Sequence, residues 1–319
     1  MDSYRNILWA VLLTFVLGYI VSSATAGSEA GSTVVPQQLR PLQEGEGDDA
    51  DAGGRAWDTV SVSQSLPLSF AGAKANTITR SELLNVAFGQ LTSNRRPLRI
   101  LHIGDSHVAG KTFPLAVKET LQRAWGRADA DTSAFIFSFI GRNGATASHF
   151  ANASYMDRIA AQRPDLIIVS FGTNECHGMG YREEDHKAQL ETFFAMLRDN
   201  CPDATIMLTT PPGDYFARSS VRYVRRGRGR KRRRVVSRST SVNPMSVRCA
   251  ATIEAFGAEH GLAVWDLNTI AGGQQAQRNW TAASLMRADR IHFTPQGYAL
   301  HGHLLGEAIL NAYNDFVRQ

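Results

Sequence analysis

Cysteine is scarce in this 319-residue chain. Cys176, Cys201 and Cys249 allow at most one intrachain pair, so no disulfide framework organises the fold. No CxxC or HExxH spacing occurs, so neither structural zinc nor any other metal or cofactor is expected. No internal repeat is visible, which argues against solenoids and propellers. The N-terminal apolar run, Ile7 to Val21, is shorter than the roughly 20 residues a spanning helix needs. It ends in small residues with an A-x-A pattern, Ala24-Thr25-Ala26. Residues 1–26 therefore read as a cleaved signal peptide, or else as an uncleaved signal anchor. Either reading exports the body to the periplasm or the extracellular space, membrane-tethered only if the signal is uncut. With 43% hydrophobic and 20% charged residues, the chain can fill a sizeable core and is not collagen-like, coiled-coil or wholly disordered.

Residues 27–56 are rich in Gly, Ala, Gln and acids and read as a disordered, solvated linker. Residues 57–319 read as one folded domain. The whole chain's formal charge of +5 conceals an asymmetry. Ten Lys and Arg residues lie between Arg222 and Arg238 with no acid among them, leaving 24 basic against 29 acidic residues elsewhere. Apart from that run the chain is mildly acidic, and it carries one basic loop insertion, at 218–242. Nucleic acid is not the expected partner, because the run has one aromatic, Tyr223, and follows an export signal. A solvated insertion is the plainer reading; attraction of an anionic glycan is the sharper one.

Val60, Val62, Leu66, Leu68 and Phe70 fall on alternate positions, predicting an edge strand that tolerates Pro67. Further on, apolar runs at Arg99–Ile103, Ala134–Ile140, Leu166–Ser170, Thr205–Thr209 and Leu262–Trp265 read as strands covered on both faces. Helical patterns separate them: Ser81–Leu91, Leu115–Trp125, Ala147–Arg163, His186–Asn200 and Val247–His260. A last helix follows Thr294-Pro295, a cap and first-turn pair. The expected fold is α/β: a flavodoxin-like, doubly wound three-layer α/β/α domain with a mainly parallel five-stranded sheet. Such sheets bind ligands outside the carboxyl ends of their strands.

Polar and glycine-rich segments stand at those ends. Gly104-Asp105-Ser106-His107 follows the first strand, Gly141-Arg142-Asn143-Gly144 the second, and Phe171-Gly172-Thr173-Asn174-Glu175 the third. Asp289-Arg290-Ile291-His292 precedes the last helix. A serine on a strand-to-helix turn presents its hydroxyl beside free backbone N–H groups. A carboxylate three residues before a histidine can reach Nδ1, leaving Nε2 to accept a proton.

In this order and context, Ser106, Gly144, Asn174 and His292 resemble the four motif blocks of the SGNH hydrolase superfamily, also called GDSL-type esterases. The resemblance runs from about Leu98 to Asn314. It implies Ser106 as nucleophile, His292 as general base and acid, and Asp289 as the orienting carboxylate. It also implies an oxyanion hole of the Ser106 and Gly144 N–H groups and the Asn174 side chain. Two blocks depart from the usual pattern, reading Gly-Asp-Ser-His and Gly-Thr-Asn-Glu. Both departures resemble exported bacterial carbohydrate O-acetylesterases, so an acylated carbohydrate is the expected substrate. His107, Glu175 and His177 are candidates to line its site, and Trp265, Trp280, Tyr181 and Tyr215 for a sugar-stacking wall. A glycan O-acetyltransferase and a catalytically silent glycan-binding protein are the alternatives on the same fold.

Overall fold

A computed structural model describes residues 58–126, 134–178, 180–225 and 232–319. The segments read as signal (1–26) and linker (27–56) lie outside the described residues.

Five strands form an all-parallel sheet: β1 (Leu98–Gly104), β2 (Phe135–Gly141), β3 (Leu166–Ser170), β4 (Thr205–Thr209) and β7 (Ala263–Trp265). Their order is β2-β1-β3-β4-β7. The chain leaves β1 for β2 on one side and returns to β3 on the other, so the switch point lies between β1 and β3. Alternate side chains point to opposite layers. Leu166 and Ile168 pack with Val117, Leu121, Leu305 and Tyr313, while Ile167 and Val169 pack with Phe193, Leu197 and Ile253. Both faces are thus apolar, which is why these strands read as unbroken hydrophobic runs.

The first layer holds α1 (Asn85–Thr92), α3 (Thr112–Trp125) and α11 (Pro295–Val317). The second holds α4 (Ala147–Phe150), α5 (Ala153–Ala160), α7 (Glu183–Asn200) and α8 (Met245–Glu259). Short helices α2 (Ser106–Ala109), α6 (Thr173–Cys176), α9 (Leu267–Ile270) and α10 (Ala276–Ala282) carry the chain between them. At the start of α11 the Thr294 hydroxyl accepts the Gly297 N–H at 3.2 Å. The helix expected over Ala147–Arg163 is two, because the Asn152 side chain accepts the Tyr155 N–H and caps a new start.

Two expectations change. The alternating segment after Val60 forms no strand. Its polar groups are satisfied by α11 instead: Asn314 accepts the Val60 N–H at 2.7 Å and donates to its carbonyl at 2.8 Å. Buried Glu307 accepts from the Ser63 hydroxyl at 2.8 Å and the Ser65 N–H at 3.1 Å. Side chains of one helix do the work of a neighbouring strand. The basic insertion, conversely, contains an antiparallel pair, β5 (Tyr215–Arg225) and β6 (Arg232–Val242), in register from Tyr215 opposite Val242 to Arg225 opposite Arg232. Val221, Tyr223, Val224, Val235 and Val236 supply the strand preference that the arginines obscured.

Cys176, Cys201 and Cys249 are buried free thiols. No helix among the described residues is long and apolar enough to cross a membrane.

Candidate active site

Gly104 ends β1, and Asp105 turns the chain into α2. The Asp105 carboxylate caps this helix, accepting the His107 N–H at 2.8 Å, so Ser106 occupies the first helical position. The turn fits closely under the end of β2: a Cβ on Gly141 would stand 2.2 Å from the Ala109 nitrogen. Only glycine permits that approach. Burial pushes the Asp105 carboxyl up to about 7 against the His107 N–H bond, which favours its ionised form.

His292 Nε2 lies 3.0 Å from Ser106 Oγ, and His292 Nδ1 lies 2.9 Å from Asp289 Oδ2. The other carboxylate oxygen, Oδ1, accepts the Ile291 and His292 N–H groups at 3.0 and 2.9 Å. Partial burial raises the Asp289 carboxyl, but these N–H bonds and the His292 ring outweigh it and hold it below the ordinary carboxylate value. The turn is tight enough that Arg290 takes φ 57°. Its carbonyl accepts the Tyr215 N–H at 3.0 Å, and its guanidinium lies 5.1 Å over the Tyr215 ring. Behind it, Phe293 is wholly buried and anchors the histidine to the core.

Three donors stand at the ends of β1, β2 and β3. The Ser106 and Gly144 N–H groups have no acceptor among the described residues. Gly144 has φ 69°, a left-handed conformation that suits glycine. Asn174 is the second residue of α6 and gives one amide hydrogen to the Ala145 carbonyl at 2.8 Å. An amide nitrogen has two hydrogens, so one remains. Glu175 ties these ends together: Oε1 accepts the Ala147 N–H at 2.8 Å and Oε2 the Gly172 N–H at 2.9 Å. Burial pushes its carboxyl up to about 7 despite both bonds.

His107 is buried instead of facing solvent. Its Nδ1 meets the Tyr298 hydroxyl at 3.1 Å and its Nε2 the Thr173 hydroxyl at 3.2 Å. Burial, with the nearby His292, lowers its pKa to about 3, so the ring is neutral at physiological pH. His177 is partly exposed and pairs through Nδ1 with buried Asp214, whose other oxygen accepts from Asn243 Nδ2 at 2.7 Å and Ser246 Oγ at 2.8 Å. The bond to Asp214 raises the His177 pKa above its ordinary value. The four aromatics considered for a stacking wall, Trp265, Trp280, Tyr181 and Tyr215, are buried in the core.

A second histidine–serine contact is of another kind. His102 Nε2 meets Ser170 Oγ at 2.8 Å, and the Thr209 hydroxyl donates to the same oxygen at 2.8 Å. All three are buried across adjacent strands, and His102 Nδ1 has no partner among the described residues. Burial lowers the His102 pKa to about 3. Without solvent access or a carboxylate on the ring, this contact lacks what a nucleophile needs. For metal ligation, Glu191, Glu259 and His260 bring ligand atoms within 4.8 Å of one another. Lys187 already pairs with Glu259 at 2.6 Å, and His260 Nε2 with Glu191 at 3.0 Å.

Sequence reasoning missed Tyr298, Thr173 and the Asp214–Asn243–Ser246 group, and it gave Tyr215 a stacking role where the structure has it holding Arg290. Of these, Asp214 and Tyr215 follow the carboxyl end of β4, a position that warranted inspection. Tyr298 and Thr173 are joined to His107 only through the fold.

A chain with this arrangement has solved counterparts. It is similar to a solved peptidoglycan O-acetylesterase at 16% identity, covering 75% of this chain and 95% of that one with a TM-score of 0.55. It also matches a lipase/acylhydrolase from Enterococcus faecalis at 19% identity, covering 67% and 96%, with a TM-score of 0.42. A two-domain esterase active on acetylated mannans matches at 13% identity, covering 75% and 56%, with a TM-score of 0.46. At these identities the likeness concerns the fold. No curated protein matches the chain. Residues 102–300, more than half the chain, match the model of the GDSL-like lipase/acylhydrolase family. That span holds Ser106, Gly144, Asn174, Asp289 and His292, and the chain belongs to the GDSL-like lipase/acylhydrolase family, within the SGNH/GDSL superfamily.

Proposed function

We propose that the protein is an exported serine esterase that removes O-acyl groups, chiefly O-acetyl, from a carbohydrate or cell-wall glycan. The observation that carries this reading is the chain of contacts from Asp289 through His292 to Ser106 Oγ, 2.9 and 3.0 Å long. Asp289 holds the His292 tautomer in which Nδ1 carries the proton and Nε2 accepts. The Ser106 hydroxyl attacks the ester carbonyl as its proton passes to Nε2. The Ser106 and Gly144 N–H groups and the free Asn174 amide hydrogen receive the oxyanion. The sugar oxygen leaves with the proton from Nε2, and the acyl group stays on Oγ. Water then gives a proton to Nε2 and its oxygen to the acyl carbon, releasing the acid and restoring Ser106.

The acetylated carbohydrate rests on the Gly-Asp-Ser-His and Gly-Thr-Asn-Glu blocks. A shared fold with the solved peptidoglycan O-acetylesterase agrees with it. Export rests on the apolar run at Ile7 to Val21 and the Ala24-Thr25-Ala26 pattern.

The deciding experiment measures acetate released from O-acetylated glycans and from a short-chain aryl acetate, by wild type and Ser106→Ala. Turnover that falls by about a million-fold in the variant is expected. Wild type that binds an acetylated glycan without turning over any ester would instead make the protein a binding module. Faster acyl transfer to an added glycan acceptor than to water would make it a transferase.

A further inference from the structure

The proposed reaction makes no use of the hairpin β5–β6, the most polarised feature of the molecule. Its root is fixed: Tyr215 and Phe216 are buried, and the Asn243 N–H donates to the Asp214 carbonyl at 3.0 Å. Among the described residues, the strands beyond the root pair only with each other. Such an isolated two-stranded ribbon is marginal in water. Val221, Tyr223, Val224, Val235 and Val236 are each between 39% and 61% exposed. The register sorts them. Val221 lies opposite Val236, with Tyr223 and Arg234 the next pair on that face; Arg222 lies opposite Val235 on the other. Apolar and cationic side chains are therefore interleaved on a ribbon both of whose faces meet solvent.

Charge narrows the choice of partner. The ten Lys and Arg residues between Arg222 and Arg238 have no acid among them, while the rest of the chain carries more acid than base. Within residues 57–319 the remainder is close to neutral, 21 basic against 22 acidic residues, so a polyanion would be drawn to the hairpin before the body. A second copy of the chain would be repelled by like-charged strands. A soluble polyanion would neutralise the arginines but leave the valines and Tyr223 in water. An anionic lipid surface serves both, because its headgroups take the cations and its acyl boundary takes the apolar side chains.

We propose that hairpin β5–β6 docks the protein on an anionic lipid surface, with Val221, Tyr223 and Val236 entering the headgroup–acyl boundary and Arg222 and Arg234 held at the lipid phosphates. The site at the hairpin's root would then work close to that surface. Each basic residue near such a surface is worth about 1 kcal/mol, or roughly fivefold in partitioning.

The test is cosedimentation of the full chain with vesicles of phosphatidylcholine alone and of phosphatidylcholine with about one-third phosphatidylglycerol. The anionic vesicles should bind wild type at least about tenfold more strongly at low salt, and less so as salt is added. Arg222→Glu with Arg234→Glu should remove most of that preference. Val221→Ser, Tyr223→Ser and Val236→Ser together should weaken vesicle binding about tenfold while leaving binding to soluble alginate unchanged. Circular dichroism and thermal melting check the fold of each variant, and the wild-type comparison decides even if a variant fails to fold. Equal binding to both vesicle types would overturn the proposal. So would serine variants that bind vesicles like wild type, an outcome that makes the hairpin a site for soluble acidic polymers.

Discussion

Asn174 Nδ2 donates to the carbonyl of Ala145 at 2.8 Å, joining the end of β3 to the loop that carries Gly144. One side chain thus offers a hydrogen to the proposed oxyanion hole and holds a second donor of that hole in place. Glu175 reinforces the same junction from the next position, through Ala147 and Gly172.

Asn174→Ala is therefore expected to lower kcat by about a hundred- to a thousand-fold on an aryl acetate, toward the upper end because the Gly144 loop is also released. KM should change little, since the oxyanion forms only in the transition state. A fall of less than tenfold in kcat would remove Asn174 from the oxyanion hole.

Asp289→Asn separates orientation from architecture. The asparagine oxygen can still accept the Ile291 and His292 N–H groups, so the turn is retained. Its amide nitrogen can instead donate to His292 Nδ1, favouring the tautomer whose Nε2 already carries a proton. A loss of about ten-thousand-fold in kcat with an unchanged melting temperature is expected. Near-normal kcat would mean that Asp289 only shapes the turn.

The α/β class and the five sheet strands were legible as unbroken apolar runs; Leu166–Ser170 is covered on both faces as expected, whereas edge strand β2 is not, with Ile136 half exposed. The proximity of Ser106, Asp289 and His292 was legible because strand ends converge at a known edge of such a sheet. Two features were not. The Val60 segment alternates like a strand, yet its partners are Asn314 and Glu307, more than 240 residues away in sequence, so no local pattern distinguishes the two states. The hairpin carried its strand preference in Val221, Tyr223 and Val235, hidden by a charge pattern that reads as solvated loop. His107 stood beside the nucleophile, and only the fold reveals that Thr173 and Tyr298 enclose it.

Glu175 makes stability depend on pH. Its ordinary value is 4.5, and in the folded protein burial raises it to about 7. Between those values the native state holds a proton that the unfolded chain has released, so this stabilisation is complete below about pH 4.5 and is lost as pH rises through about 7. Asp105, raised to about 7 in the same way, adds to the slope. Melting temperatures between pH 5 and pH 8 should therefore fall more in wild type than in Glu175→Gln, whose amide does not titrate. Parallel slopes for the two proteins would show that Glu175 ionises as freely in the fold as outside it.

Asn314 replaces a strand partner, and its removal should expose how much that contact holds. Asn314→Ala leaves the Val60 N–H and carbonyl without the bonds of 2.7 and 2.8 Å that they now make. Both groups are part-buried, so water satisfies them only in part. The loss should be about 1–3 kcal/mol, read as a lower urea midpoint with an unchanged m-value. Esterase activity at low temperature should persist, because the segment packs on α11 far along the helix from its Thr294 cap. A lower m-value as well would mean that the Val60 segment detaches before the domain unfolds, making it a separately unfolding strap.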